Sequence, residues 1–299
     1  MDLKKDNTLI TEPERVSEFD KPRRQQLADG AIVEYWTMGP PESDAFVFLH
    51  GIGGCAKDWF SLMNQLAPKY RTIAWNAPGY GASTNLASDT PSVSEYVGRL
   101  AHVLDALSLQ RITLVAHSWG ALIAASFFQR HASRIKSLAL VSPSIGLSHV
   151  PVAERAAIVV QRVDLLNSLG VDGWIKDSAP RLVATTAPKS LVEETARPNP
   201  ALQMRGITQA THALATGDPI AALQDVEKPF LVVYGSDDQI TPAEFGVRFK
   251  TQTAAARLEI IPACGHLPFA EKPERIQSLL ESFWARNITG NEPTERDNE

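Results

Sequence analysis

From Ala31 to Ser142, short apolar runs alternate with amphipathic stretches of helical length. Runs that are apolar on both faces and last only six or seven residues are the pattern of strands buried between two layers of helix in a parallel sheet. The predicted strands are IVEYWTM (32–38), AFVFLH (45–50), RTIAWN (71–76), RITLVAH (111–117) and SLALVS (137–142). Between the third and fourth, Ser92 and Glu95 form an S-x-x-E capping signal, after which Val97, Leu100, Val103, Leu104 and Leu107 keep one face of a helix apolar.

The alternation stops after Pro143. For roughly eighty residues, 145–223, the pattern is helical with no convincing strand: Ala156, Val159, Val160, Val163, Leu166 and Leu169 recur at three- and four-residue steps, and Gly170 is positioned to end that helix. The strand rhythm returns with KPFLVVYG (228–235) and ARLEIIPA (256–263), and a last helix is expected from Pro273 to Trp284 or beyond. The expected architecture is therefore α/β, with a mostly parallel sheet flanked by helices and an inserted all-helical segment. Its core falls in two parts, 25–144 and 224–288, separated by the insertion 145–223. Residues 1–24 form an N-terminal extension, and the polar tail 289–299 is expected to be disordered.

In an open parallel sheet the ligand crevice lies at the carboxyl ends of the strands, so the residues there are the first to search for chemistry. One strand ends in LVAHSWG, nearly the G-x-S-x-G turn that holds a nucleophilic serine, with Ala116 in place of the first glycine. Taken alone, Ser118 is equally a helix cap. A second strand ends in His50-Gly51-Ile52-Gly53, where a backbone with few side chains can aim amide hydrogens at a negative oxygen. Gly51, Gly53 and Ala56 also satisfy a dinucleotide fingerprint. That reading needs an acid after the next strand, where Asn76 stands instead, so a nicotinamide or flavin cofactor is not expected. A third strand is followed by Asp237 and Asp238, which alone read as turn acids, and a fourth by His266 after a Cys-Gly turn. Serine, acid and histidine in that order are what acyl transfer requires: a nucleophile, a base to take its proton, and a carboxylate to hold the base.

Composition removes some alternatives. With 29 Lys and Arg against 34 Asp and Glu the net charge is −5, and no basic stripe suggests nucleic acid. The N-terminus lacks an apolar signal core, and no segment approaches the roughly 18 uninterrupted apolar residues of a membrane span, so a cytoplasmic protein is expected. Cys55 and Cys264 are far apart and lack metal-ligand spacing, so neither a disulfide framework nor a zinc site is expected.

On the motifs HGIGG, NAPGYGAS, AHSWGA, GSDDQITP and ACGHLPF, the chain resembles the α/β-hydrolase family from roughly Gln25 to Asn287. The resemblance implies Ser118 as nucleophile, His266 as general base and acid, and Asp238 as orienting carboxylate. Asp238 is preferred to Asp237 because Gly235 and Pro242 frame it in the family's spacing. It implies an oxyanion hole from the backbone amides of Ile52 and Trp119, and a cap formed by the helical insertion. Expected substrate contacts are His50, Gly51, Gly53, His117, Trp174 and Leu267. Arg181, Met204, Arg205 and His212 are further cap residues for which solvated or core roles are expected.

The implied activity is cofactor-free, metal-free hydrolysis of a small, fairly apolar ester, lactone or activated amide, by a monomer or homodimer. Two alternatives stand beside it. One is C–C bond hydrolysis of a vinylogous diketone; relatives with that activity often have Asn before the serine and Trp after the histidine, where this chain has His117 and Leu267. The other is a cofactor-free oxygenase or a small-molecule receptor on the same fold. The HSWGA elbow is also similar to the HDWGA of dehalogenases and epoxide hydrolases, but serine replaces their aspartate nucleophile.

Overall fold

The computed structural model describes residues 21–288. The expected N-terminal extension lies outside these residues except for its last four, and the expected tail lies wholly outside them. Eight strands form one sheet: β1 (Arg23–Gln26), β2 (Ile32–Met38), β3 (Ala45–Leu49), β4 (Arg71–Trp75), β5 (Ile112–His117), β6 (Ile135–Val141), β7 (Phe230–Gly235) and β8 (Ala256–Ile261). Their order is β1-β2-β4-β3-β5-β6-β7-β8. The β1–β2 and β2–β4 pairs are antiparallel and every other pair is parallel.

Seven of these strands coincide with the predicted runs. The eighth, β1, has the sequence RRQQ and is largely exposed. It carries no apolar signal because it lies at the sheet edge and is held by pairing with β2, where charged residues also discourage pairing with other chains.

The period of two in the strands divides their side chains between two cores. Ala45, Val47 and Leu49 of β3 and Leu114 and Ala116 of β5 join one cluster, with α2 and α3 residues such as Leu100 and Phe127. Phe46, Phe48 and Val115 join the other, with Trp59, Leu280 and Trp284. The helices are α1 (Phe60–Leu66), α2 (Val93–Ala106), α3 (Gly120–Arg130), α4 (Val152–Leu182), α5 (Lys189–Thr195), α6 (Met204–Leu214), α7 (Pro219–Leu223), α8 (Glu244–Gln252), α9 (Pro268–Glu271) and α10 (Pro273–Ile288). At the start of α2 the Ser92 N–H donates to the Glu95 carboxylate at 2.8 Å, satisfying a donor that the helix cannot.

Helices α4 to α7 follow one another between β6 and β7. Gly170 breaks α4 with φ 66° and ψ 173°, where the apolar repeat was expected to stop, but the helix resumes at once and runs to Leu182. This segment is tied to the sheet loops at a few points. The Gly81 N–H donates to the Ala201 carbonyl at 2.7 Å, and the buried Gln209 amide donates to the Leu86 and Ser88 carbonyls at 2.9 and 2.6 Å. Among the described residues no helix is long and apolar enough to cross a membrane.

Candidate active site

Ser118 sits between β5 and α3 with φ 51°, in the left-handed region that a residue with a side chain adopts only where its surroundings impose it. The imposition is visible: the Ser118 N–H donates to the Val141 carbonyl at 3.0 Å, and its carbonyl accepts from Ala121 and Ser144 at 3.0 and 3.1 Å. The turn also requires close packing. A Cβ on Gly120 would lie 2.7 Å from the His50 carbonyl oxygen, and one on Gly51 would lie 3.1 Å from the Ser118 Cβ and 2.8 Å from the His117 Nδ1. Ala116 is different: fully buried in β5 between Leu49 and Leu140, it lies outside the left-handed region, so its backbone does not call for glycine.

The loop after β7 brings Asp238, not Asp237, to His266. The His266 Nδ1–H donates to the Asp238 Oδ2 at 2.8 Å, and both side chains are buried. Asp238 Oδ1 accepts from the Ile240 and Thr241 N–H groups at 2.8 Å each, and the Thr241 hydroxyl lies 2.8 Å from Oδ2 and 3.1 Å from His266 Nδ1. Burial alone would push the Asp238 carboxyl up. The hydrogen bond and charge of His266, with the Thr241 donors, more than offset this and hold it below the usual carboxylate range. Asp237 instead accepts from its neighbour, the Ser236 hydroxyl, at 2.7 Å in an exposed turn.

His117 and His266 have ring centroids 4.7 Å apart, which brings the residue next to Ser118 against the histidine. Among the described residues the Ser118 hydroxyl forms no hydrogen bond; in apo sites the serine–histidine link is often long and tightens when substrate binds. The His117 Nε2–H donates to the His266 carbonyl at 2.8 Å, while its buried Nδ1 has no partner in the protein. Burial and the adjacent His266 hold His117 well below its ordinary pKa, so it is a neutral strut.

The His50–Gly53 loop lies beside this turn. The Ala77 N–H donates to the His50 Nε2 at 3.0 Å, which leaves the proton on Nδ1 to donate to the Gly51 carbonyl at 2.7 Å. Burial lowers the pKa of His50 to about 4 against the opposing hydrogen bond to Gly51, so the ring is neutral and fully committed. The Tyr80 hydroxyl donates to the Ile52 carbonyl at 2.9 Å, fixing the next peptide. The N–H groups of Ile52 and Trp119 have no acceptor among the described residues. Asn76 bridges the same region, accepting from the Ala56 N–H at 2.9 Å and donating to Glu34 at 2.8 Å.

Several expected substrate contacts are reassigned by this geometry. His50 and His117 are buried and hold backbone, so they position the loop and the elbow. Leu267 is half-buried and packs against the core cluster that contains Trp59 and Phe269. Trp174, by contrast, reaches over the loop: a Cβ on Gly53 would touch its ring at 3.4 Å. The Trp119 ring is buried edge-on against Tyr96 at 4.8 Å, so its contact is with the core rather than an open pocket. Arg181 pairs with Asp177 and Arg205 with Asp89, each at 2.9 Å and partly exposed. Met204 packs half-buried on the core, and half-buried His212 has its pKa lowered by burial. Thr241 and Tyr80 escaped the sequence reading. A Thr three residues after a turn Asp was the available signal for the first, because Asp side chains accept from nearby backbone donors. Among the described residues, His, Cys, Asp and Glu side chains nowhere gather in a group of three or more that could hold a metal ion.

The sheet order, the serine on its strained turn and the acid–histidine pair together define a hydrolase-type fold, and the chain belongs to the alpha/beta hydrolase fold family, whose profile matches residues 44–273. Among curated relatives it is similar to an (E)-2-((N-methylformamido)methylene)succinate hydrolase of Acinetobacter baylyi, with 26% identity over 86% of this chain and 96% of that protein. It is also similar to a 2-hydroxy-6-oxo-6-phenylhexa-2,4-dienoate hydrolase of Comamonas testosteroni, with 25% identity over 92% and 98%. Among solved structures, a thermophilic esterase from Thermogutta terrifontis superposes with a TM-score of 0.78 over 89% of this chain and 98% of the other at 20% identity, which shows the shared fold.

Proposed function

We propose that the protein is a serine hydrolase that cleaves a small, fairly apolar ester, lactone or activated amide through an acyl-enzyme on Ser118, without a cofactor. The observation that carries this reading is the buried His266–Asp238 pair at 2.8 Å, packed against His117, whose neighbour is the serine held at φ 51°. His266 Nε2 takes the Ser118 proton as the oxygen attacks the carbonyl carbon, and the Ile52 and Trp119 N–H groups receive the oxyanion. His266 then returns the proton to the leaving oxygen or nitrogen. Water, deprotonated by the same histidine, releases the acid and regenerates Ser118. The helical insertion acts as a cap whose Trp174 shapes access to the oxyanion loop.

A second reading, hydrolytic cleavage of a C–C bond, is supported by the name of the Comamonas relative. Product analysis separates the two: an ester yields acid and alcohol, whereas C–C cleavage yields an acid and a fragment that gains no oxygen at the cut. The decisive test of the nucleophile is Ser118→Ala together with a fluorophosphonate label. The variant should lose ~10³-fold or more in kcat while melting like wild type, and mass spectrometry should find the label on Ser118 in the wild type and no label at that position in the variant. An unchanged rate on the true substrate removes covalent serine catalysis.

A further inference from the structure

The main chain of His266 is gripped from two sides. Its carbonyl accepts from His117 of the elbow, and its N–H donates at 2.9 Å to the carbonyl of Leu182, the last residue of α4 and so part of the cap. A third group completes the junction. Glu271, at the end of α9, accepts from the Gly265 N–H through Oε1 at 2.8 Å and from the Ala184 N–H through Oε2 at 2.9 Å. One carboxylate thus joins the segment where the chain leaves α4 to the residue before the histidine.

The two segments touch backbone to backbone. A Cβ on Gly265 would lie 2.4 Å from the Val183 carbonyl carbon and 2.5 Å from the Ala184 nitrogen, so only glycine lets the cap segment approach this closely. Glu271 is the side chain that ties the segment after α4 to the histidine loop, and each of its oxygens serves a different segment. An amide cannot replace it, because glutamine keeps one acceptor and turns an NH₂ donor toward the other backbone N–H. Leaving that buried donor unmatched favours separation of the segments.

We propose that Glu271 is a positioning residue that makes cap seating and placement of His266 one event, so that the base stands ready only when the segment after α4 is docked. The proposal rests on the serine-hydrolase reading for its kinetic consequence, but its structural core does not. Hydrogen exchange in the full-length protein tests that core without turnover. In Glu271→Gln, peptides covering residues 183–187 and 262–267 should exchange at least about tenfold faster, both together, while β5 and β7 exchange as in wild type.

The kinetic arm uses p-nitrophenyl butyrate, with the active fraction counted by fluorophosphonate. Glu271→Gln should lower kcat per labelled site roughly 10- to 100-fold with KM changed less than about threefold, because a base displaced by an ångström loses rate rather than binding. Glutamine fills the same volume, so a packing role predicts wild-type behaviour. Wild-type exchange in either segment, or an unchanged kcat per labelled site, overturns the proposal. If Glu271→Gln does not fold, Glu271→Asp, too short to span both N–H groups, is judged by the same readings. Failure of the wild type to label at Ser118 sinks the hydrolase reading instead and leaves the exchange result standing.

Discussion

The carboxyl ends of the strands and the helical insertion contrast sharply in how their residues are held. At the strand ends the Asp238 and His266 side chains are buried and Ser118 is half-buried, with Asp238 alone receiving donors from Ile240, Thr241 and His266. In the insertion the first part of α4 leaves Val152 71% exposed and Val160 57% exposed, and it turns few residues inward. The lesson is a division of labour. On the proposed reading, a reacting constellation must be held to within a fraction of an ångström by groups that cannot relax, whereas a cover over it needs only a few anchors. Junctions such as Leu182 with His266 are where the looser region is made answerable to the tighter one.

The largest test of this contrast is Asp238→Asn. The amide keeps the shape of the turn but removes the carboxylate that orients His266, and kcat should fall by ~10³–10⁴ with little change in KM. Asp237→Asn, in the exposed turn, should stay within about threefold of wild type on the same assay. Comparable losses in both would erase the distinction between the two acids.

Stability should divide in the same way. Leu114→Ala, in the fully buried centre of β5, should cost about 2–5 kcal/mol in denaturant unfolding, while Val160→Ser on the exposed face of α4 should stay within about 0.5 kcal/mol. A large loss at Val160 would mean that the outer face of the insertion is covered in solution.

The pH dependence is a finer probe of the strand ends. His50 is neutral in the folded protein, with its pKa lowered from 6.5 to about 4, so between these values the unfolded chain binds more protons. Its contribution to stability is therefore complete above pH 6.5 and is lost as the pH falls toward 4. His117, lowered for the same reason, adds to the slope. Asp238, whose pKa is also lowered, contributes in a more acid window, holding its stabilisation above the ordinary carboxylate value of about 3.9 and losing it below. Urea unfolding should show a shallower slope between pH 6.5 and 4 in His50→Gln than in wild type; equal slopes would mean that the ring is not buried as described.

The acid–histidine pair was legible along the chain because both residues follow strands, and buried parallel strands announce themselves as apolar runs. Asp238 was separable from Asp237 through the family resemblance, whose pattern sets the acid between Gly235 and Pro242. The edge strand β1 was not legible, because a largely exposed strand of Arg and Gln has no apolar period and exists only through its partner. Nor was the restart of α4 beyond Gly170, since a glycine that can end a helix can equally bend one.

Local chemistry thus determined which residues could react: a serine on a tight turn, an acid in a loop, a histidine after a strand. Tertiary structure alone decided which of the others serve them. His50 and His117 looked like substrate contacts, yet folding buried both rings and turned their hydrogen bonds to backbone at Gly51 and His266. Glu271 carried no motif of its own, because its two partners lie 6 and 87 residues away and meet only when the segment after α4 crosses the histidine loop. Local sequence sets what a side chain can donate or accept; long-range packing sets which acceptor it meets.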